Sequence, residues 1–213
     1  GIKIENVTST YNPSLDFNHI HSYSNTGYGI YCEDTQMKGA FLRCENNEKE
    51  GLYPDGGSNS YIGILSLLDN CETSGVAQLV IDSATNGVVI GAINSRRVGR
   101  AAAGGIKLTG DNCVISGQIS GDINGGGNST GVGVDIENGA SYNRVDVVVR
   151  DFSGVGGIAL RTGQTAAINW NKVSAVLQNS TTLWNNVIAG VNNQYEINGN
   201  TTAGATKFTG VSP

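Results

Sequence analysis

The chain has 213 residues, a formal net charge of −5 and a pI near 4.9, and this acidic balance leaves no basic stripe for nucleic acid. Thirty-one glycines, one methionine and only 15% charged residues argue against a helical protein. No apolar run approaches the roughly 20 residues of a membrane span, no signal-peptide pattern opens the chain, and no Pro-rich or Gly/Ser linker divides it.

Short runs rich in Val, Ile and Thr, separated by Gly, Asn, Asp and Ser, predict many strands. Gly1-Ile2-Lys3-Ile4 already reads as a coil strand with no capping segment ahead of it, so the expectation is that an N-terminal part has been cut away. Further coil starts fall at Gly29, Gly51, Gly75, Gly105, Gly131 and Gly157, the last three at a constant step of 26 residues. A period in this range marks a solenoid, whose coils bury their apolar faces only by stacking. The predicted fold is all-β: a single-stranded right-handed parallel β-helix of about seven coils over residues 1–191. Residues 192–213 are read as a C-terminal cap or the start of an oligomerisation segment, with Tyr195-Glu196-Ile197 and Lys207-Phe208-Thr209 as edge strands.

In each first strand, positions one and three after the glycine are apolar and point inward: Ile30/Cys32, Leu52/Pro54, Ile106/Leu108, Val132/Val134 and Ile158/Leu160. The fourth coil, Val76 to Asp82, fits less well and is read as shifted by about one residue. Second strands follow a Ser/Asn site at Ser60, Asn86, Asn112, Asn143, Asn171 and Asn185, where stacked asparagines bond successive amides along the axis. Ile62, Ile64, Val88, Ile90, Ala92, Val145, Val147, Val149, Val173, Ala175 and Leu177 are assigned inward. That phase turns Leu65, Leu67, Val89, Ile93, Ile115, Ile119 and Val148 outward as an apolar strip, for which a closed homotrimer is the expected cover. Leu183 to Val187 imitates a second strand half a coil after Asn171.

Cys32, Cys44, Cys71 and Cys113 lack metal-ligand spacing and are read as buried free thiols. His19 and His21 lie two apart without a third ligand, so no metal site and no cofactor are expected. The basic cluster Arg96, Arg97 and Arg100 is read as a solvated turn. The sequons at Asn6, Asn128, Asn179 and Asn200 follow from composition alone.

Three short strands per coil, the Asn-x-Val units Asn143-Arg144-Val145 and Asn171-Lys172-Val173, and coils of variable length resemble the right-handed parallel β-helix of the pectin-lyase-like superfamily. Asn/Gly/Thr richness and the apolar outer wall are more similar to bacteriophage tailspikes and tail appendages than to secreted plant-wall enzymes. The Asn-Thr-Asp, Asp-Asp, Gly-His-Gly and Arg-Ile-Lys signatures of polygalacturonases and the pectate-lyase arginine motif are absent. The resemblance implies a virion tail protein that acts extracellularly at the host cell surface, recognises a bacterial surface polysaccharide and degrades it as a glycosidase or lyase. The alternatives are a non-catalytic shaft or receptor-binding protein, and a secreted bacterial polysaccharide lyase or epimerase.

Glycoside hydrolysis in its usual form needs two carboxylates, about 5 to 5.5 Å apart for retention and ~6.5 to 9.5 Å apart for inversion. Glu33 and Asp55 take the same outward position on neighbouring coils, which makes them the candidate catalytic pair. Tyr31 and Tyr53 stack beside them as platforms for sugar rings, with Tyr61 and Arg43 as further substrate-binding candidates. The turn Pro54-Asp55-Gly56-Gly57 lets a ligand approach the backbone.

Overall fold

The computed structural model describes residues 1–4, 14–56, 58–71, 77–98, 104–121, 131–137, 139–155, 157–163, 167–186, 190–201 and 204–211, with the backbone alone at residue 97 and from residue 200 on. Among these residues all regular structure is strand. In chain order the strands are β1 (Ile2–Ile4), β2 (Ser14–Tyr23), β3 (Ile30–Glu33), β4 (Gln36–Glu45), β5 (Leu52–Asp55), β6 (Tyr61–Leu68), β7 (Ala77–Ile81), β8 (Val89–Val98), β9 (Gly104–Leu108), β10 (Val114–Gly121), β11 (Val132–Ile136), β12 (Arg144–Arg150), β13 (Ile158–Thr162), β14 (Lys172–Gln178), β15 (Thr182–Asn186), β16 (Gln194–Thr201) and β17 (Gly204–Val211). No helix of the described residues is long and apolar enough to cross a membrane.

Odd-numbered strands stack in sequence order into an eight-stranded parallel sheet, and even-numbered strands stack likewise into a second sheet that β17 extends to nine. Each coil therefore lays one strand in each sheet, and the chain is a parallel β-solenoid close to the predicted seven coils. The third strand expected per coil is reduced to isolated bridges, Ser58 to Asn86, Asn86 to Asp111 and Ser141 to Asn169. Past residue 191, β16 still pairs in parallel with β14, while β17 turns back antiparallel along the edge of β16. Leu183 and Trp184 belong to β15 in the first sheet, paired with β13, and not to a second strand.

The core lies between the sheets. Ile30, Cys32, Leu52, Leu79, Ile81, Ile106 and Leu108 from one face meet Leu42, Leu65, Ile90, Ile115, Val145 and Val149 from the other, all fully buried. One interior place is filled from the neighbouring coil: Gly39 pairs with Phe17, and the Phe17 ring occupies the space a Gly39 side chain would take. All four cysteines are free and buried.

Register departs from the glycine count in two places. Leu79 pairs with Leu52, so the fourth coil presents Ala77, Leu79 and Ile81 inward. Ile106 pairs with Val134 and Leu108 with Ile136, which puts Gly133 opposite Gly105 in place of Gly131. A side chain on Gly105 would meet Ile119, and one on Gly133 would meet Val149 and Phe152, so the spacing is set by glycines that face the core corner.

The predicted outer apolar strip does not exist on the surface. Leu65, Leu67, Ile93, Ile115 and Ile119 are buried, Val89 and Val148 are half-buried, and it is Ile64 and Ala92 that face out. The cause is a stacked β-bulge. In β2, β4 and β6 the residues Asn18, Ala40 and Gly63, with Gly91 in β8, interrupt the ladder, so alternation changes phase in mid-strand and both halves turn their apolar residues inward. A Cβ on Gly63 would stand 2.7 Å from the Ala40 carbonyl oxygen, and one on Gly91 2.8 Å from that of Gly63. From β10 on, the bulge is gone: Ser116 alone stands opposite Gly91 and Ala92, and β12 and β14 alternate strictly. The argument for a trimer from this strip falls with it.

The asparagine stack is real: Asn143 and Asn171 belong to it as predicted, with Ser60 in the same column, while Asn86, Asn112 and Asn185 do not. Cys113, Asn143, Asn171 and Asn193 occupy one inward column ahead of the second-sheet strands; Asn143 Nδ2 donates to Asn171 Oδ1 and Asn171 Nδ2 to Asn193 Oδ1, both at 3.0 Å. Asn143 Oδ1 accepts from the Cys113 amide at 2.8 Å. Asn86 and Asn112 form an exposed pair one corner position away, and Asn185 lies on β15. A second ladder, Asn25 to Asn47 to Asn70, joins the coils at the opposite corner. Asn6, Glu5, Gly57, Gly75, Val76, Arg100 and Asn128 lie outside the described residues.

Candidate functional site

The first sheet presents its outward face in straight columns because β3 and β5 pair without a bulge: Tyr31 opposite Tyr53 and Glu33 opposite Asp55. The column continues. Since Leu52 pairs with Leu79, Asp82 stands three residues on, as Asp55 does from Leu52. Glu33, Asp55 and Asp82 thus occupy three successive rungs. Asp82 was not anticipated, because anchoring the fourth coil on Gly75 hid its register. Leu79-Val80-Ile81-Asp82 nevertheless repeats the spacing of Leu52-Tyr53-Pro54-Asp55.

These carboxyls differ in environment. Burial raises the Asp82 pKa above the ordinary carboxylate value, and a hydrogen bond shared with Asp55 together with its charge raises it further, against a lowering pull from Thr85 and the Gly56 amide. The Asp82 carboxyl is locked by its own turn: the Thr85 hydroxyl donates to Oδ1 at 2.8 Å and the Ala84 amide to the same atom at 3.2 Å. Thr85 also donates to the Pro54 carbonyl at 2.8 Å, tying this turn to the neighbouring rung. Gly56 has φ +70, and a side chain there would run into the Asp34 carboxylate, so only glycine fits the turn after Asp55.

On the other side of Asp55, the Tyr31 hydroxyl donates to Oδ2 at 2.6 Å. That hydrogen bond, then burial and the Asp55 charge, raise the Tyr31 pKa; burial and the charges of Asp82 and Asp55 push Tyr53 up to about 12. Both phenols stay protonated at neutral pH, so neither is a base, and the Tyr31 hydroxyl is the donor to Asp55. Tyr28 joins them, its ring centroid 5.2 Å from Tyr31 and 5.8 Å from Tyr53, and the Tyr31 and Tyr53 rings meet edge to face at 5.5 Å. Lys3 and Lys49 place their ammonium groups 5.7 Å from the Tyr31 and 5.0 Å from the Tyr28 ring centres. An open cleft of about 510 Å³ runs beside this cluster, bordered by Ile2, Lys3, Thr26, Tyr28 and Tyr31.

Of the six residues singled out from the sequence, four come together here: Tyr31, Glu33, Tyr53 and Asp55. Arg43 and Tyr61 lie in the other sheet. Arg43 donates to Glu45 from Nε at 2.9 Å, and His21 Nε2 approaches the same carboxylate at 3.1 Å. Tyr61 stands exposed on β6, in register with Lys38 and Val89. His19 packs edge-on to Phe41 at 4.8 Å. Among the described residues no group of three His, Cys, Asp or Glu is arranged to hold a metal ion.

Further along the same face, Lys107 pairs with Glu137 at 2.6 Å, and Arg161 grips both oxygens of Asp135 across one rung. No protein-family model, curated protein or solved structure matches the chain.

Proposed function

We propose that the protein is a tailspike-type glycan depolymerase, hydrolysing a bacterial surface polysaccharide laid across the first sheet, in a phage tail acting outside the host cell. The observation that carries this reading is the Asp55–Asp82 pair with a shared hydrogen bond, flanked by tyrosines whose hydroxyls stay protonated. Asp82, whose pKa burial and then Asp55 raise above the ordinary carboxylate value, is the group suited to protonate a glycosidic oxygen. Asp55, fixed by Tyr31, sets that proton's affinity. Glu33 lies two rungs from Asp82, about 9.6 Å at roughly 4.8 Å per rung, just past the upper end of the ~6.5 to 9.5 Å spacing that admits a water between acid and base, a gap that the side-chain reach of Glu33 can close. Glu33 then takes a proton from water as the water attacks the anomeric carbon, and Asp82 gives one to the departing oxygen. The product anomer is inverted. Tyr28, Tyr31 and Tyr53 hold sugar rings over the acids.

Purified capsules, O-antigens and teichoic acids from a panel of bacteria, assayed for released reducing ends, test the reading. Activity on one polymer that falls by about 10²-fold or more in Asp82→Asn and Glu33→Gln is expected. Binding without release across the panel favours the non-catalytic receptor-binding shaft, in which the acid column only spaces the coils.

A further inference from the structure

Six second-sheet strands, β6, β8, β10, β12, β14 and β16, are entered through a corner residue in the left-handed conformation. At four of these corners it is Asn59, Gly87, Asn112 or Asn192, the residue types that bear positive φ at least cost. At two adjacent corners it is Tyr142 (φ 59) and Trp170 (φ 58). The conformation is imposed by the solenoid: the Tyr142 amide donates to the Asn169 carbonyl at 3.2 Å and the Trp170 amide to that of Val191 at 3.0 Å. Bulky aromatics are thus held where the backbone disfavours them, and they stay half exposed. Tyr142 is 60% and Trp170 51% exposed. Their rings are parallel to within 8°, with centroids 6.2 Å apart.

Two residues beyond each aromatic stands an exposed cation, and the two are paired in register, Arg144 with Lys172. Arg144 is shared with Asp146 at 2.7 Å; Lys172 has no carboxylate within ion-pair distance among the described residues. Inward between them, Asn143 and Asn171 fix the rung spacing by their ladder. On a chain of net charge −5 this corner is a local cationic site with aromatic planes. We propose that the Tyr142–Trp170 corner is a second glycan site, taking an acidic sugar whose ring lies against the aromatics while its carboxylate or phosphate meets Lys172 and Arg144. With two cations, one of them already paired, the corner is too weakly basic for a nucleic-acid backbone. The site is separate from the acid column and requires no cleavage.

The chain has two tryptophans, and Trp184 is half-buried with its indole N–H on Thr162 at 3.2 Å, so Trp170 fluorescence reports the corner. The probes are oligosaccharides of hyaluronan and polygalacturonate, their carboxyl-reduced forms, a glycerol-phosphate teichoic acid and an oligothymidylate. At least one acidic glycan is expected to give a saturable change that weakens with salt, and carboxylate against phosphate probes tell which anion is read. Trp170→Asn should abolish the signal, with calorimetry confirming loss of binding; Tyr142→Asn and Lys172→Gln should each weaken binding about tenfold. Asparagine already serves at this corner in other coils, so both aromatic variants should melt no lower than the parent. Asp82→Asn should bind as the parent does, which separates this site from the proposed catalytic one. No binding by any acidic glycan, equal binding of the reduced forms, equal binding by Tyr142→Asn and Trp170→Asn, or preference for the oligothymidylate would each overturn the proposal.

Discussion

Asp82 shares a hydrogen bond with Asp55 one rung below it, so two groups that each ionise freely in water are held where the second charge is resisted. A carboxyl whose pKa is raised in the folded state contributes its stability fully below its unfolded pKa, near 3.9. That contribution is lost as pH rises through the folded value. Glu45 works in the opposite sense: burial pushes its pKa up, but Arg43 and His21 pull it below the ordinary value. Bulk pH–stability curves therefore mix the two, and the informative quantity is the difference between parent and Asp82→Asn. The variant should match the parent near pH 4 and exceed it at pH 7 by about 1 kcal/mol, the net worth of one hydrogen bond made without the second charge. Thermal melts at several pH values check this, and a difference that does not change with pH sinks the shared-proton account.

Asn171 is the most heavily used polar side chain of the corner ladder. Its Oδ1 accepts from the Asn143 amide and from Asn143 Nδ2, both at 3.0 Å, and its Nδ2 donates to the Ala140 carbonyl at 2.9 Å and to Asn193 Oδ1. It is 1% exposed, so no water replaces what is removed. Asn171→Ala should cost about 3 kcal/mol or more, the penalty for leaving buried partners unpaired. Asn112→Ala, at an exposed left-handed residue whose one side-chain bond, to Asn86, water can replace, should cost about 1 kcal/mol. Urea titrations that place the two variants together would show that the ladder does not bear on stability.

The first-sheet rungs were legible because nothing interrupts period two between Ile30 and Glu33 or between Leu52 and Asp55, and the Tyr31–Tyr53 and Glu33–Asp55 pairings follow from that alone. The second sheet was not legible from alternation. A bulge at Gly63 and Gly91 leaves the composition of each strand unchanged while reversing its second half, so Leu65 and Ile93 read as outward until the backbone is seen. Glycine misled the count for a related reason. Gly131 lies in a bend ahead of β11, whereas Gly105 and Gly133 are required where a side chain would strike Ile119 or Val149. Asp82 was lost with that count. Tyr142 and Trp170 carried no periodic signal, since only their φ values reveal them.

The four thiols should be silent in the native state. Burial raises the pKa of Cys32 to about 12 and that of Cys113 to about 11, and raises Cys44 and Cys71 as well. The thiolate is the reacting form, and access is closed by the same packing. An aromatic disulfide reagent at pH 8 should therefore titrate no thiol over minutes and all four in guanidinium chloride. Rapid native reaction of Cys32 or Cys44 would place an opening in the core between β3 and β4.

Ile64 and Leu65 are neighbours in β6 and opposite in fate: Ile64 is 46% exposed and Leu65 is fully buried. Strict alternation from Ile62 would predict the reverse, so a pair of charge substitutions reads the bulge directly. Ile64→Glu adds a carboxylate to a solvated position and should change stability by no more than about 0.5 kcal/mol, as surface substitutions do. Leu65→Glu puts it among Leu42, Ile93 and the rest of the core, where an unpaired charge and a lost apolar contact together should cost about 4 kcal/mol or more. Gly63→Ala provides the third arm. Its methyl would press on the Ala40 carbonyl oxygen, and a bulge that cannot close should lose about 1 to 3 kcal/mol. If Ile64→Glu unfolds the chain while Leu65→Glu is tolerated, β6 runs without a bulge, and the apolar strip and the oligomer it implied return.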